Sequence, residues 1–226
     1  MAETQAMSKE AQPKVISRLG FWAAILTAIF YVAFDVAEAA NLAGAIKSPS
    51  WVTITVYGPS LFIALFFIVV MVSLHNSVPV ERRFWTSMAL AFANIYVTLN
   101  CFIYIIQVLV IAPSFLHGTF ERVSLFGMAQ DNPLSSATAP LVAVNALAYA
   151  LMSVSTFFAS FAIPGKGLNA WTRNMLRIHG VVAPTVVGAL IWPSLIVVSA
   201  TVGFTYPIAA LLLALVFRRG FGADLG

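Results

Sequence analysis

With 226 residues, 61% of them hydrophobic and 9% charged, and a mean hydropathy of +0.93, the chain departs from soluble domains. Those are about 45 to 50% apolar and about 25% charged, so lipid is the expected solvent for most of these side chains. The net charge of +4 does not point to nucleic acid, because the twelve basic residues are scattered through short connections and form no long run.

Residues 1–18 are polar and include Lys9, Lys14 and Arg18, which predicts a flexible tail before the first apolar run. That run, 20–43, exceeds the roughly 20 residues a helix needs to cross a hydrocarbon core of about 30 Å. It is longer than the apolar region of a secretory leader and contains acids, so removal as a signal peptide fits poorly. At about 100° per residue, Asp35 and Glu38 share a face with Thr27 and Tyr31, with Asn41 at its edge. A connection holding Lys47 leads to the second run, 51–74, where Thr53, Thr55 and Tyr57 precede Gly58 and Pro59. Proline lacks an amide hydrogen, so a kink is expected at that level. After a short basic turn with His75, Arg82 and Arg83 comes the third run, 84–111, with Tyr96, Asn100, Tyr104 and Gln107 on one face. It also holds the only cysteine, Cys101, which rules out an intramolecular disulfide and a cysteine-based metal site.

The longest connection, 113–139, mixes Phe115, Leu116, Phe120, Val123, Leu125 and Phe126 with Glu121, Arg122 and Asp131. It reads as a packed loop, with an interfacial helix or a lid as the alternative. The fourth run, 140–163, begins with Asn145 and Tyr149 on a face continued by Met152 and Thr156. Lys166, Arg173 and Arg177 surround the next connection. The final run, 175–217, would make a helix of about 65 Å at a rise of about 1.5 Å per residue, too long for one crossing. It is expected to fold as a hairpin of 175–196 and 201–217, turning among Pro193, Ser194, Ser199, Thr201 and Gly203, before Arg218, Arg219 and a short tail, 220–226.

The expected fold is therefore an all-α polytopic membrane protein with six transmembrane helices. Charge orients it, because cytoplasmic loops carry the excess of Lys and Arg. Ten basic residues fall on the side of both termini, and only Lys47 and Arg122 on the other. Both termini are expected in the cytoplasm, and the membrane is expected to be a plasma membrane or bacterial inner membrane.

Ionisable residues inside spans are rare and usually face the bundle interior. No Lys or Arg lies deep in any run, so Asp35 and Glu38 have no evident cationic partner in the sequence. Two carboxylates one turn apart in a low dielectric cannot both ionise cheaply. Once helix directions are applied, the polar side chains converge on the external half. The expected ligand-binding set is Asp35 and Glu38, with Tyr31, Asn100, Tyr104, Gln107, Asn145 and Tyr149 as neutral walls. The competing reading is that the same groups hydrogen-bond to one another and hold the helices together.

His75, His117 and His179 form no metal-ligand pattern, and a haem held between His75 and His179 is disfavoured, since both are expected at helix ends facing headgroups. No metal and no cofactor is expected, and no phosphate-binding loop, nucleophile elbow or zinc-protease motif occurs. Trp51, Trp85, Trp171 and Trp192 near span ends read as an interfacial belt. The layout resembles bacterial six-helix membrane proteins of the DUF4386 type. The likeness rests on the Arg-Leu-Gly at 18–20, the basic turn at 75–83, the long external loop, and Trp171 after the fourth helix. That resemblance implies the six-helix fold and brings no established activity. The sequence thus favours binding or transport of a small ligand, proton or cation over an enzyme. A non-catalytic subunit or assembly factor with membrane-protein partners is the main alternative, and a lipid-modifying intramembrane enzyme the second.

Overall fold

The computed structural model describes residues 2–119 and 140–220, with side chains from Lys14 onward. Every regular element among them is helical. Helices α1 (Ala2–Leu42), α2 (Pro49–Ser77) and α3 (Arg83–Ile106) come first, and a single 3-10 turn, Val80–Arg82, joins α2 to α3. A π turn, Gln107–Ile111, continues α3 into α4 (Ala112–His117). Next come α5 (Pro140–Ala162), α6 (Gly167–Val181), α7 (Ala183–Gly188), a 3-10 turn at Pro193–Leu195, α8 (Ile196–Ser199) and α9 (Val202–Arg219).

Five segments are long and apolar enough to cross a membrane: Lys14–Leu42, Pro49–Ser77, Val80–His117, Pro140–Ala162 and Pro193–Arg219. In lipid a helix satisfies all its backbone polar groups internally, so long apolar runs fold this way almost regardless of propensity. The expected sixth crossing is not one continuous helix. α6 begins earlier than expected, at Gly167, and ends at Val181, where Pro184 offers no amide to the ladder and crowds the preceding turn. The short α7 and a series of turns succeed it, so 175–196 does not form a single span. At the other end, the stretch expected as a flexible tail is helical from Ala2, in keeping with its Ala, Glu, Gln, Met and Lys, all good helix formers. α2 runs unbroken across Pro59. Most of the long loop, 120–139, and the last six residues, 221–226, lie outside the described residues.

The helices close into a ring. α1 packs on α2, α2 on α3, α3 on α5, α5 on α6, α6 on α9, and α9 back on α1. Small buried residues let the backbones approach: Ala24 and Ala28 on α1, Ala64 on α2, Ala89 and Ala93 on α3, Ala148 and Ala159 on α5, Ala209 and Ala210 on α9. Gly180 makes the closest approach, since a Cβ there would lie 2.5 Å from the Cβ of Phe157 on α5. Large apolar side chains such as Trp22, Ile29, Val36, Phe102 and Leu211 point outward and are exposed. Polar Thr27, Ser60, Asn100, Ser155 and Thr156 are fully buried. Apolar outside and polar inside is the arrangement a lipid solvent selects.

The ring is filled by one aromatic side chain from each of its six helices: Tyr31, Phe67, Tyr96, Tyr149, His179 and Tyr206, all buried. Phe67 stands edge-on to Tyr96 at 5.1 Å and lies 5.5 Å from Tyr206, which is 5.6 Å from Tyr31 and 5.2 Å from His179. Tyr96 reaches Tyr149 at 6.0 Å. Such pairs add roughly 0.5 to 1.5 kcal/mol each beyond area burial, so this column fixes how the helices rotate about their own axes. One end of the ring is basic. Arg82 donates to the carbonyl of Phe161 at 3.3 Å, Arg173 to those of Ile163 and Gly165 at 3.4 Å, and Arg177 lies over the Phe161 ring at 5.0 Å. These cations gather at the carbonyl end of α5, where the helix dipole is negative.

Candidate functional site

The acidic stripe of α1 continues its buried face. Thr27 and Tyr31 are fully buried on that face, Asp35 is half-buried, and Glu38 is exposed. Residues at this spacing point in one direction, so the change from buried to exposed along it means that the ring opens at the end carrying Glu38. Neither carboxylate has an ion pair or hydrogen bond among the described residues.

Asp35 does have an electrostatic neighbour, which sequence reasoning missed. Its Oδ1 lies 3.1 Å from where a Cβ on Gly203 would stand. Gly203 is the second residue of α9, so the carboxylate rests against the amino end of an 18-residue helix. That end carries the equivalent of about half a positive charge. A side chain at Gly203 would crowd the carboxylate, and the sequence marks this glycine merely as a turn former. Asp35 also lies within electrostatic reach of Tyr31 and Tyr149, and Glu38 within reach of Tyr57 and Tyr149.

Three expected wall residues form one network. The Tyr104 hydroxyl is 3.1 Å from Asn145 Oδ1 and 3.0 Å from the Tyr149 hydroxyl, linking α3 to α5. Tyr57 of α2 joins it by ring contact with Tyr104 at 5.7 Å. Phe34 of α1 stacks on Tyr149 at 6.5 Å and meets Tyr31 edge-on at 6.0 Å. Glu38, Tyr57, Tyr104, Asn145 and Tyr149 thus lie together at the open end. Tyr31 is deeper, in the aromatic column. Asn100 is fully buried one turn below Tyr104 and one turn above Tyr96 on the same face of α3. Gln107 is fully buried in the π turn. π turns often accompany functional sites.

His179 departs from expectation. It is fully buried, with Nδ1 3.1 Å from Thr205 Oγ1 and Nε2 3.4 Å from Ser153 Oγ. The Thr205 hydroxyl donates to the Thr201 carbonyl at 2.9 Å, which leaves its oxygen to accept from Nδ1. Both ring nitrogens of His179 thus have partners inside the ring. The signal for its burial is periodic: Asn169, Thr172, Leu176 and His179 lie three to four apart on the buried face of α6, with the buried Gly180 beside them. His75 has a different partner, its Nδ1 lying 2.8 Å from Thr86 Oγ1. Among the described residues no three His, Cys, Asp or Glu gather closely enough to hold a metal ion.

No family model matches the chain, and neither a curated protein nor a solved structure does.

Proposed function

We propose that the chain binds a small cation, proton or protonated ligand at the open end of its ring, either to retain it or to move it. Glu38 is the accessible carboxylate, Asp35 the one anchored by α9, and Tyr57, Tyr104, Asn145 and Tyr149 supply neutral oxygens. The observation that carries the reading is a pair of carboxylates one turn apart, with no ion pair or hydrogen bond among the described residues, beside a preformed tyrosine and asparagine network. An unpaired carboxylate near lipid is costly, and a bound cation or a shared proton removes that cost. In this reading six crossings are completed by α6 and α7, the basic end faces the cytoplasm, and the acids open to the outside of a plasma or bacterial inner membrane.

The test is thermal unfolding of the purified full chain against a panel of alkali, alkaline-earth and methylammonium salts over a pH series. A cation that binds only the folded state raises stability by about 2.7 kcal/mol at a hundredfold excess over its dissociation constant. The double variant Asp35→Asn, Glu38→Gln keeps shape and most hydrogen-bonding capacity while removing titratable charge. It is expected to fold and to lose both the salt-specific and the pH-dependent shift. An unchanged shift in that variant, or no salt-specific shift in the natural chain, removes the binding reading. A subunit role is favoured by the broken α6 to α9 arm, where Ile191, Trp192, Ile196 and Val197 are exposed around irregular backbone. Backbone of that kind is tolerated at membrane depth only where protein or water covers it.

A further inference from the structure

At the basic end, α1 and α9 lie side by side and leave a groove of about 700 Å³ between them. Four cations line it, Lys14 and Arg18 from α1 and Arg218 and Arg219 from α9, and among the described residues no acidic side chain does. None of the four makes an ion pair among the described residues. The rest of the wall is largely aromatic, formed by Phe21, Trp22 and Phe217. The groove is a product of close packing. A Cβ on Gly20 would meet the Phe217 ring at 2.7 Å, so glycine lets that ring lie against α1, leaving the flanking arginines at the rim.

We infer that this groove binds the headgroup of an anionic phospholipid, with an acyl chain laid along the exposed Trp22. Four cations gathered at one groove select a phosphate. A free phosphate would account for the cations and not for the aromatic wall, whereas a lipid uses both. The position suits this ligand, because Trp22 is 53% exposed on the outward face of a membrane-spanning helix and Arg218 and Arg219 end another. Basic pockets between transmembrane helices on the cytoplasmic side are the usual seats of such headgroups. The inference is independent of the acidic site, which lies at the opposite end of α1.

Native mass spectrometry of the full chain, delipidated and then incubated with mixed micelles, tests it. Phosphatidylglycerol is expected to be retained in clear preference to phosphatidylcholine. Each of Arg18→Gln, Arg218→Gln and Arg219→Gln is expected to lower that retention about fivefold, the share assigned to one cation near a headgroup. Lys47→Gln, outside the groove, is expected to leave it unchanged. Arg219→Gln, at the exposed end of α9, keeps the test open should another of the variants fail to fold. Trp22→Ala should weaken lipid retention without changing any effect of inorganic phosphate on the melting temperature. Equal retention of the two lipids, or loss equal in Lys47→Gln and the arginine variants, overturns the inference. So does stabilisation by inorganic phosphate that matches the lipid, which would mark a site for a free anion.

Discussion

Gly180→Ala tests the ring closure directly. The added methyl would sit 2.5 Å from Phe157 Cβ, 2.8 Å from its Cα and 2.9 Å from its backbone nitrogen. Carbon atoms rest at about 3.5 to 4.0 Å, so α5 and α6 must part by about 1 Å. Two of the three atoms are backbone, so rotating a side chain does not relieve the clash. Overpacking of this kind costs about 1 to 3 kcal/mol, while replacing glycine inside a helix returns about 1 kcal/mol of propensity. The balance is a net loss of up to about 2 kcal/mol, and the 3.4 Å contact of His179 with Ser153 is stretched as well. Gly58→Ala is the control, because a Cβ there meets nothing within 4 Å. It should keep the propensity gain, about 0.5 to 1 kcal/mol. Unfolding in detergent by heat or denaturant measures both. A Gly180→Ala protein as stable as Gly58→Ala would refute the close contact of α5 with α6.

The hydroxyls of the ring make a second contrast. Tyr104→Phe removes the hydroxyl that bridges Asn145 and Tyr149 and should lower stability by roughly 0.5 to 1.5 kcal/mol, whereas Tyr206→Phe removes a buried hydroxyl with no hydrogen-bond partner among the described residues and should be neutral or stabilising in the same unfolding assay. Orientation is read by replacing Cys101 and placing single cysteines at Lys47, His117, Arg82 and Arg218: an impermeant reagent added outside intact cells should label the first two and not the others. Labelling of Arg218 alone from outside would invert the topology.

Five of the spans are legible in the sequence because a lipid solvent leaves little choice: an apolar run of sufficient length must satisfy its backbone internally, so 51–74, 140–163 and 201–217 reappear as Pro49–Ser77, Pro140–Ala162 and Val202–Arg219. Faces follow from the period, and Tyr96, Asn100, Tyr104 and Gln107 are all buried together. The last arm misleads because hydropathy sums over a window and does not register one missing amide. Pro184 divides a stretch whose composition alone would span. Which long-range partners meet is also hidden. Nothing local to α1 says that Asp35 lies on the first turn of α9, since that contact joins residues 35 and 203. Burial of His179 is visible in the spacing of α6, but a titratable side chain near a span end is more often a headgroup contact than a core residue.

The π turn at Gln107–Ile111 is closed by a bond from the Ala112 amide to the Gln107 carbonyl, five residues back instead of four. In genetic terms it is one surplus residue lodged in an otherwise regular rod of 38 residues, Val80–His117. Deleting Val108 or Leu109 would let the rod close as plain α-helix with both flanking stretches still facing their neighbours. Deleting one residue elsewhere, at Ile95 for example, would turn everything beyond it by about 100° and swing Asn100, Tyr104 and Gln107 away from the ring. The chain therefore tolerates a change in length at one place in this helix, and that place adjoins the tyrosine network at its open end.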